Sequence, residues 1–124
     1  MLDKQAFGTF LKSKRKERKI LVRDMAEGIG VSFGYYCDIE SVRRTPVDLH
    51  FISTAIKLLN LSDEDGQTLY DLAGKGRTMA PPDLTAYINE NKIVRDVLRI
   101  AKDNATDEDW QILFNNLSNK KKAP

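Results

Sequence analysis

Cysteine occurs once in this chain, at Cys37, and histidine once, at His50. A single thiol cannot close an internal disulfide, so the fold must hold without a covalent staple, and a reducing cytoplasm suits it. One histidine without a Cys/His cluster cannot supply the usual zinc constellation, so no metal site is expected. Long apolar runs are lacking as well. The longest are a few residues, such as Ile20-Leu21-Val22, far short of a bilayer span. Met1-Leu2-Asp3-Lys4 has no basic stretch leading into an apolar one, so no secretory signal is expected. There is no Gly-rich phosphate loop with its lysine and no setting for a nucleophile, so neither an enzyme, a cofactor nor a small-molecule ligand is expected. β-branched alternations are few, which points to an all-α chain.

What is present is globular in proportion: 41% hydrophobic and 31% charged residues in 124. The charge is unevenly spread. Residues 1–46 hold ten Lys/Arg against six Asp/Glu, and residues 47–124 hold ten against twelve. Lys12, Lys14, Arg15, Lys16, Arg18, Lys19 and Arg23 crowd into two helical turns and a loop. That density suits a polyanion, although a solvated helix face has the same composition.

Apolar spacing predicts a first helix over about Asp3–Arg18, carrying Phe7, Phe10 and Leu11. A second spans about Val22–Gly28 with Met25, Ala26 and Ile29 inward, and Gly30 closes it. Ser32 caps a third over Phe33–Ser41. Thr45-Pro46 ends that unit. A fourth follows over Val47–Leu59, with Ile52, Ala55, Ile56 and Leu59 buried. A fifth opens at Ser62 before Asp63-Glu64-Asp65 and stops at Gly74, with Leu69, Tyr70, Leu72 and Ala73 on its apolar side. Acids in a first turn complement the helix dipole, which explains this run and Asp107-Glu108-Asp109 after Thr106 without acid–base chemistry. Residues 74–82 read as a linker, so the expected domains are 1–76 and 77–124. Beyond the linker, helices are expected over Leu84–Glu90, Ile93–Lys102 and Thr106–Ser118, with a frayed Lys120-Lys121-Lys122 tail.

The stretch from Val22 to Ile39 carries the functional signal. Two short helices held steeply by a tight turn need a small residue where they touch, and Ala26 is there. Gly30, four positions on, tolerates positive φ in the turn. Val31, Tyr36 and Ile39 then lock the second helix onto the core.

Those residues, with Leu11, Lys12-Ser13-Lys14-Arg15, Asp24-Met25-Ala26-Glu27, Ile29-Gly30-Val31-Ser32, Asp38-Ile39-Glu40, Arg43-Arg44-Thr45-Pro46 and Leu58-Leu59-Asn60-Leu61-Ser62, resemble the lambda-repressor-like, Xre-type helix-turn-helix family over about residues 5–74. The resemblance implies a five-helix DNA-binding domain whose third helix enters the major groove of double-stranded DNA. It implies base-facing positions at Ser32, Phe33, Gly34, Tyr35 and Asp38, with Cys37 at the margin, and phosphate contacts from Lys14, Arg23, Arg43 and Arg44. It also implies a structural ion pair between Arg15 and Glu40.

The chain departs from that pattern in three places. Arg, Gln and Asn are absent from residues 32–38. Phe33 or Tyr35 is then left to meet thymine methyls, and Asp38 either accepts from a cytosine amino group or pairs with a nearby Arg or Lys. Leu21-Val22 stand where the family has a polar cap and Gln, and Val42 stands in place of a turn glycine, which predicts a reshaped helix end. Tyr35-Tyr36 offers a stacking platform, or one core ring and one groove-facing ring. Cys37 reads as inert more readily than as a redox sensor. His50 reads as a surface or helix-start residue. The apolar stripes after residue 83, with Trp110 and Phe114, must be buried against the first domain or in a homodimer, the latter preferred. The expected function is a transcriptional regulator acting as a repressor. The alternative is a protein-interaction module or antitoxin-like adaptor with little or no DNA binding.

Overall fold

In the computed structural model, residues 6–46 and 48–122 are described. They form eight helices and no strand: α1 Phe7–Glu17, α2 Val22–Ile29, α3 Phe33–Glu40, α4 Leu49–Leu59, α5 Asp63–Gly76, α6 Pro82–Glu90, α7 Lys92–Asn104 and α8 Asp107–Lys122. None of them is long and apolar enough to cross a membrane. The expected start at Asp3 lies outside the described residues.

Helix starts follow side-chain chemistry. Ser32 Oγ accepts from the Tyr35 amide at 3.1 Å, Asp48 Oδ1 from His50 at 3.0 Å and Ser62 Oγ from Asp65 at 3.1 Å. Because Asp48 takes the cap, α4 begins at Leu49 rather than Val47, itself outside the described residues. Thr106 and Asp109 cap α8 reciprocally, at 3.1 and 3.0 Å.

Helix ends share one device. In each of α1 to α5 an amide two or three residues past the helix end returns to a carbonyl five residues back: Ile20 to Arg15, Val31 to Ala26, Arg43 to Asp38, Leu61 to Ile56 and Met79 to Gly74, at 2.9–3.2 Å. The residue between must turn left-handed. Gly30 does so at φ 91°, but Lys19, Val42, Asn60 and Thr78 also do so, at 57°, 66°, 49° and 54°. The expected reshaping at Val42 is thus not found; the valine adopts the glycine conformation itself. Gly74 does not stop α5 either, which runs to Gly76. A side chain at Gly74 would meet Met79, Ala80 and Pro81 backbone at 2.8 Å, so this glycine admits the returning chain. The lysines at the C-terminus of the described chain belong to α8 instead of a frayed tail. Lysine favours helix and complements the dipole there.

The described residues divide into two compact units at Ala86/Tyr87, inside α6. The core of the first unit draws on α1 to α5 alone. Phe51, absent from the expected stripe, sits at its centre, with the rings of Phe7, Tyr35 and Tyr36 each centred 6.3 Å away. Helix α3 packs on both α1 and α2. Where α1 meets the end of α3, a side chain at Gly8 would collide with the Ile39 carbonyl oxygen and press on the Glu40 carbonyl at 3.0 Å. In the second unit no described residue is fully buried.

Candidate nucleic-acid interface

Helices α2 and α3 meet through Gly30-Val31-Ser32, with Ala26 and Ile29 buried on one side and Tyr36 and Ile39 on the other. That packing leaves the opposite face of α3 bare. Ser32 and Gly34 are exposed, Phe33 is 58% exposed, and a side chain at Gly34 would meet nothing within 4 Å. Tyr35 and Cys37 are half-buried at its edges. Of the two adjacent tyrosines, Tyr36 is core and Tyr35 lies edge-on to Phe51.

Asp38 faces the loop after α3. Its carboxylate oxygens lie 3.5 Å from Arg43 Nη1 and 3.7 Å from Arg44 Nε, and its backbone carbonyl accepts from the amides of both arginines. The Arg44 guanidinium also lies over the Tyr35 ring at 5.7 Å. Of the two roles open to Asp38, this geometry matches the second, an acid that gathers neighbouring arginines. Both guanidinium groups stay largely exposed, at 76% and 62%. Arg23 is exposed in the first turn of α2. Leu21 stands at the N-cap of that helix and gives no side-chain cap, and the Leu21 carbonyl accepts from both Asp24 and Met25.

The remaining basic residues divide by role. Arg15 makes two bonds to Glu40, Nε to Oε2 at 2.7 Å and Nη2 to Oε1 at 3.1 Å, and a third to the Ile20 carbonyl at 2.9 Å. Only 12% of the Arg15 side chain and 8% of the Glu40 side chain are exposed. The hydrogen bond to Glu40 raises the Arg15 pKa further, so the guanidinium stays charged. Arg18 Nε donates to the Leu59 carbonyl at 2.8 Å and so caps α4. Lys14 sits between Asp65 at 3.2 Å and Glu17 at 3.3 Å and over the Phe10 ring, and hydrogen bonding to Asp65 raises its pKa. Three cations of the dense basic run thus tie α1 to α3, α4 and α5. Lys12, Lys16, Lys19 and Arg23 are exposed.

Beside the Arg15–Glu40 pair, the Tyr36 hydroxyl is buried and makes no hydrogen bond of good geometry among the described residues. Burial, with the nearby Glu40 charge, pushes its pKa well up. Across the domain, the His50 ring Nε2 lies 3.2 Å from the Ile29 carbonyl and links the start of α4 to the end of α2. Among the described residues no group of three or more His, Cys, Asp or Glu is placed to hold a metal ion.

Sequence reasoning missed Phe51, Gly8 and the capping role of Arg18. Phe51, Ala55 and Leu59 follow i, i+4, i+8 spacing, and extending the stripe back one turn would have found the ring. A glycine inside a helix costs about 1 kcal/mol against alanine, so Gly8 carried its own signal of close backbone approach. No local pattern announces that Arg18 reaches 41 residues ahead.

No protein-family model matches the chain, and no solved structure matches it at a significant level. It is similar to the ImmF control region 10 kDa protein of Bacillus phage phi105, 39% identical over 61 residues, which covers 49% of this chain and 67% of that protein. At that identity and coverage the two share one ancestry, and the chain belongs to the family of this phage control-region protein.

Proposed function

We propose that this chain is a DNA-binding transcriptional regulator of the lambda-repressor-like, Xre-type class, acting as a repressor by occupying duplex DNA. The observation that carries it is the bare face of α3, packed against α1 and α2 on its other side and flanked by exposed Arg43 and Arg44. The name of its relative, a control region protein, is consistent with regulation. In this scheme α3 enters the major groove, where Phe33 meets thymine methyls and Gly34 lets the helix approach closely. Arg43, Arg44 and Arg23 hold phosphates, assisted by the free amides at the α2 N-terminus. Asp38 positions the arginines in place of reading a base, and Lys14 serves the fold. The protein acts without catalysis or a cofactor, from the cytoplasm, as a homodimer.

Selection from random duplex DNA across a salt series tests this. An enriched motif with a steep salt slope is expected. Absence of binding by folded protein at low salt would sink it.

A second scheme rests on the chemistry of that same face. Ser32, Phe33 and Gly34 present no long hydrogen-bonding side chain, and Leu21 is 54% exposed. Such a surface also suits an apolar protein partner, as in an antitoxin-like adaptor. Reversing Arg43 and Arg44 separates the two when duplex binding and partner capture are measured side by side.

A further inference from the structure

Helix α8 is sixteen residues long, and none of its described side chains is buried. Trp110, Leu113, Phe114 and Leu117 stand 40–65% exposed. Their spacing puts them on one stripe with Asp107 at its head, and those five residues with Gln111 line a shallow hollow of about 460 Å³ on the helix. Contiguous exposed apolar stripes mark contact surfaces.

The ends of α8 carry opposite charge: Asp107, Glu108 and Asp109 in the first turn, Lys120 and Lys121 near the last. Asp109 is used by the cap on Thr106, which leaves Asp107 and Glu108 to face outward. A parallel second copy would set acid against acid and lysine against lysine. An antiparallel copy sets each acidic end against a basic end. Placing Trp110 opposite Leu117 of a second copy places Leu113 opposite Phe114, and the same register places Asp107 opposite Lys120. One alignment therefore satisfies the apolar stripe and the charges together, and a two-fold axis repeats every contact.

We infer that α8 is a self-association surface on which a second copy of this chain docks its own α8 antiparallel, about a two-fold axis near Leu113 and Phe114. The acid–lysine ends set the direction, because the reversed pairing brings like charges together. Nothing in this interface depends on whether the chain binds DNA.

Sedimentation equilibrium of the full chain without DNA tests it. The wild-type chain is expected to be dimeric at micromolar concentration, and Phe114→Asp, at an exposed position, to be monomeric. Two charge variants fix the direction. One carries Asp107→Lys and Glu108→Lys, the other Lys120→Glu and Lys121→Glu. Each alone is expected to dimerise about tenfold or more weakly than wild type, and an equimolar mixture to recover the loss, which misfolded helices would not do. The inference is overturned by a monomeric wild-type chain. It is equally overturned if Phe114→Asp dimerises like wild type, if either charge variant does, or if the mixture fails to recover.

Discussion

Arg15 and Glu40, 25 residues apart, meet through two hydrogen bonds at 2.7 and 3.1 Å where α1 lies against the end of α3. The pair is nearly sealed from water, and its third bond, from Arg15 to the Ile20 carbonyl, reaches the turn before α2. One guanidinium thus holds together the first three helices, which is the geometry that aims α3.

Breaking the pair from one side leaves a buried charge alone. Glu40→Gln is expected to destabilise the fold by about 3–5 kcal/mol in urea titration, since the uncompensated guanidinium stays in place. A variant melting like wild type would show that the pair contributes no stability.

Gly8→Ala tests the crossing of α1 and α3. The new methyl would meet backbone oxygen, which cannot rotate away as a side chain can. A loss of about 3 kcal/mol is expected in thermal unfolding, although alanine is the better helix former. Gly34→Ala serves as the control: its methyl meets open space, and a gain of about 0.5–1 kcal/mol is expected.

The left-handed residues give an opposite sign. Thr78 is exposed at φ 54°, so Thr78→Gly removes backbone strain without losing a packed side chain, and a gain of about 0.5–1 kcal/mol is expected. Val42, half-buried at φ 66°, lines a hollow with Phe7 and Leu72, so Val42→Gly is expected to gain less. Equal gains at the two sites would mean that the Val42 side chain adds no packing energy.

Tyr36 has a pH signature. Burial raises its pKa above the ordinary value of 10.0, so above that pH the unfolded chain loses a proton that the folded chain keeps. Stability contributed by the neutral phenol is complete below pH 10 and falls as pH rises beyond it. Tyr36→Phe is expected to flatten the alkaline limb of a stability profile relative to wild type. At neutral pH it should leave stability unchanged or raise it, because the hydroxyl it removes lacks a well-formed hydrogen bond. An unchanged alkaline limb would refute the assignment.

On DNA, Arg43→Gln with Arg44→Gln is expected to weaken binding uniformly across sequences and to lower the salt slope by about 2. If the proposed function holds, Asp38→Asn, which removes an acid of α3 beside Arg43 and Arg44, should strengthen binding without changing the selected motif. A changed motif would instead make Asp38 a base reader.

Much of the helical layout was legible because it depends on neighbours within one or two turns. The caps at Ser32, Ser62 and Thr106 and the turn at Gly30 are local hydrogen-bond and backbone preferences, and each is found in place. Gly74 misled for the same reason: a glycine near a helix end resembles a stop, whereas here it makes room for backbone five to seven residues later. The basic run misled by its density. Apart from Arg15, whose pairing with Glu40 the family resemblance implies, nothing in Lys12 to Arg23 tells which cations turn inward to Asp65 and the Leu59 carbonyl and which remain in solvent.

The sequence by itself determined the helix starts capped by Ser32, Ser62 and Thr106, much of the apolar stripes and the left-handed turn at Gly30, because those choices are settled by contacts between near neighbours. The tertiary structure alone decided the rest: that Phe51 is the hub of the aromatic core, that Gly8 is where two helices touch, that Asp38 gathers Arg43 and Arg44 beside α3, and that the chain leaves the α8 stripe exposed. Each depends on distances between segments far apart in the chain, or on how side chains share one small space, and only packing sets those.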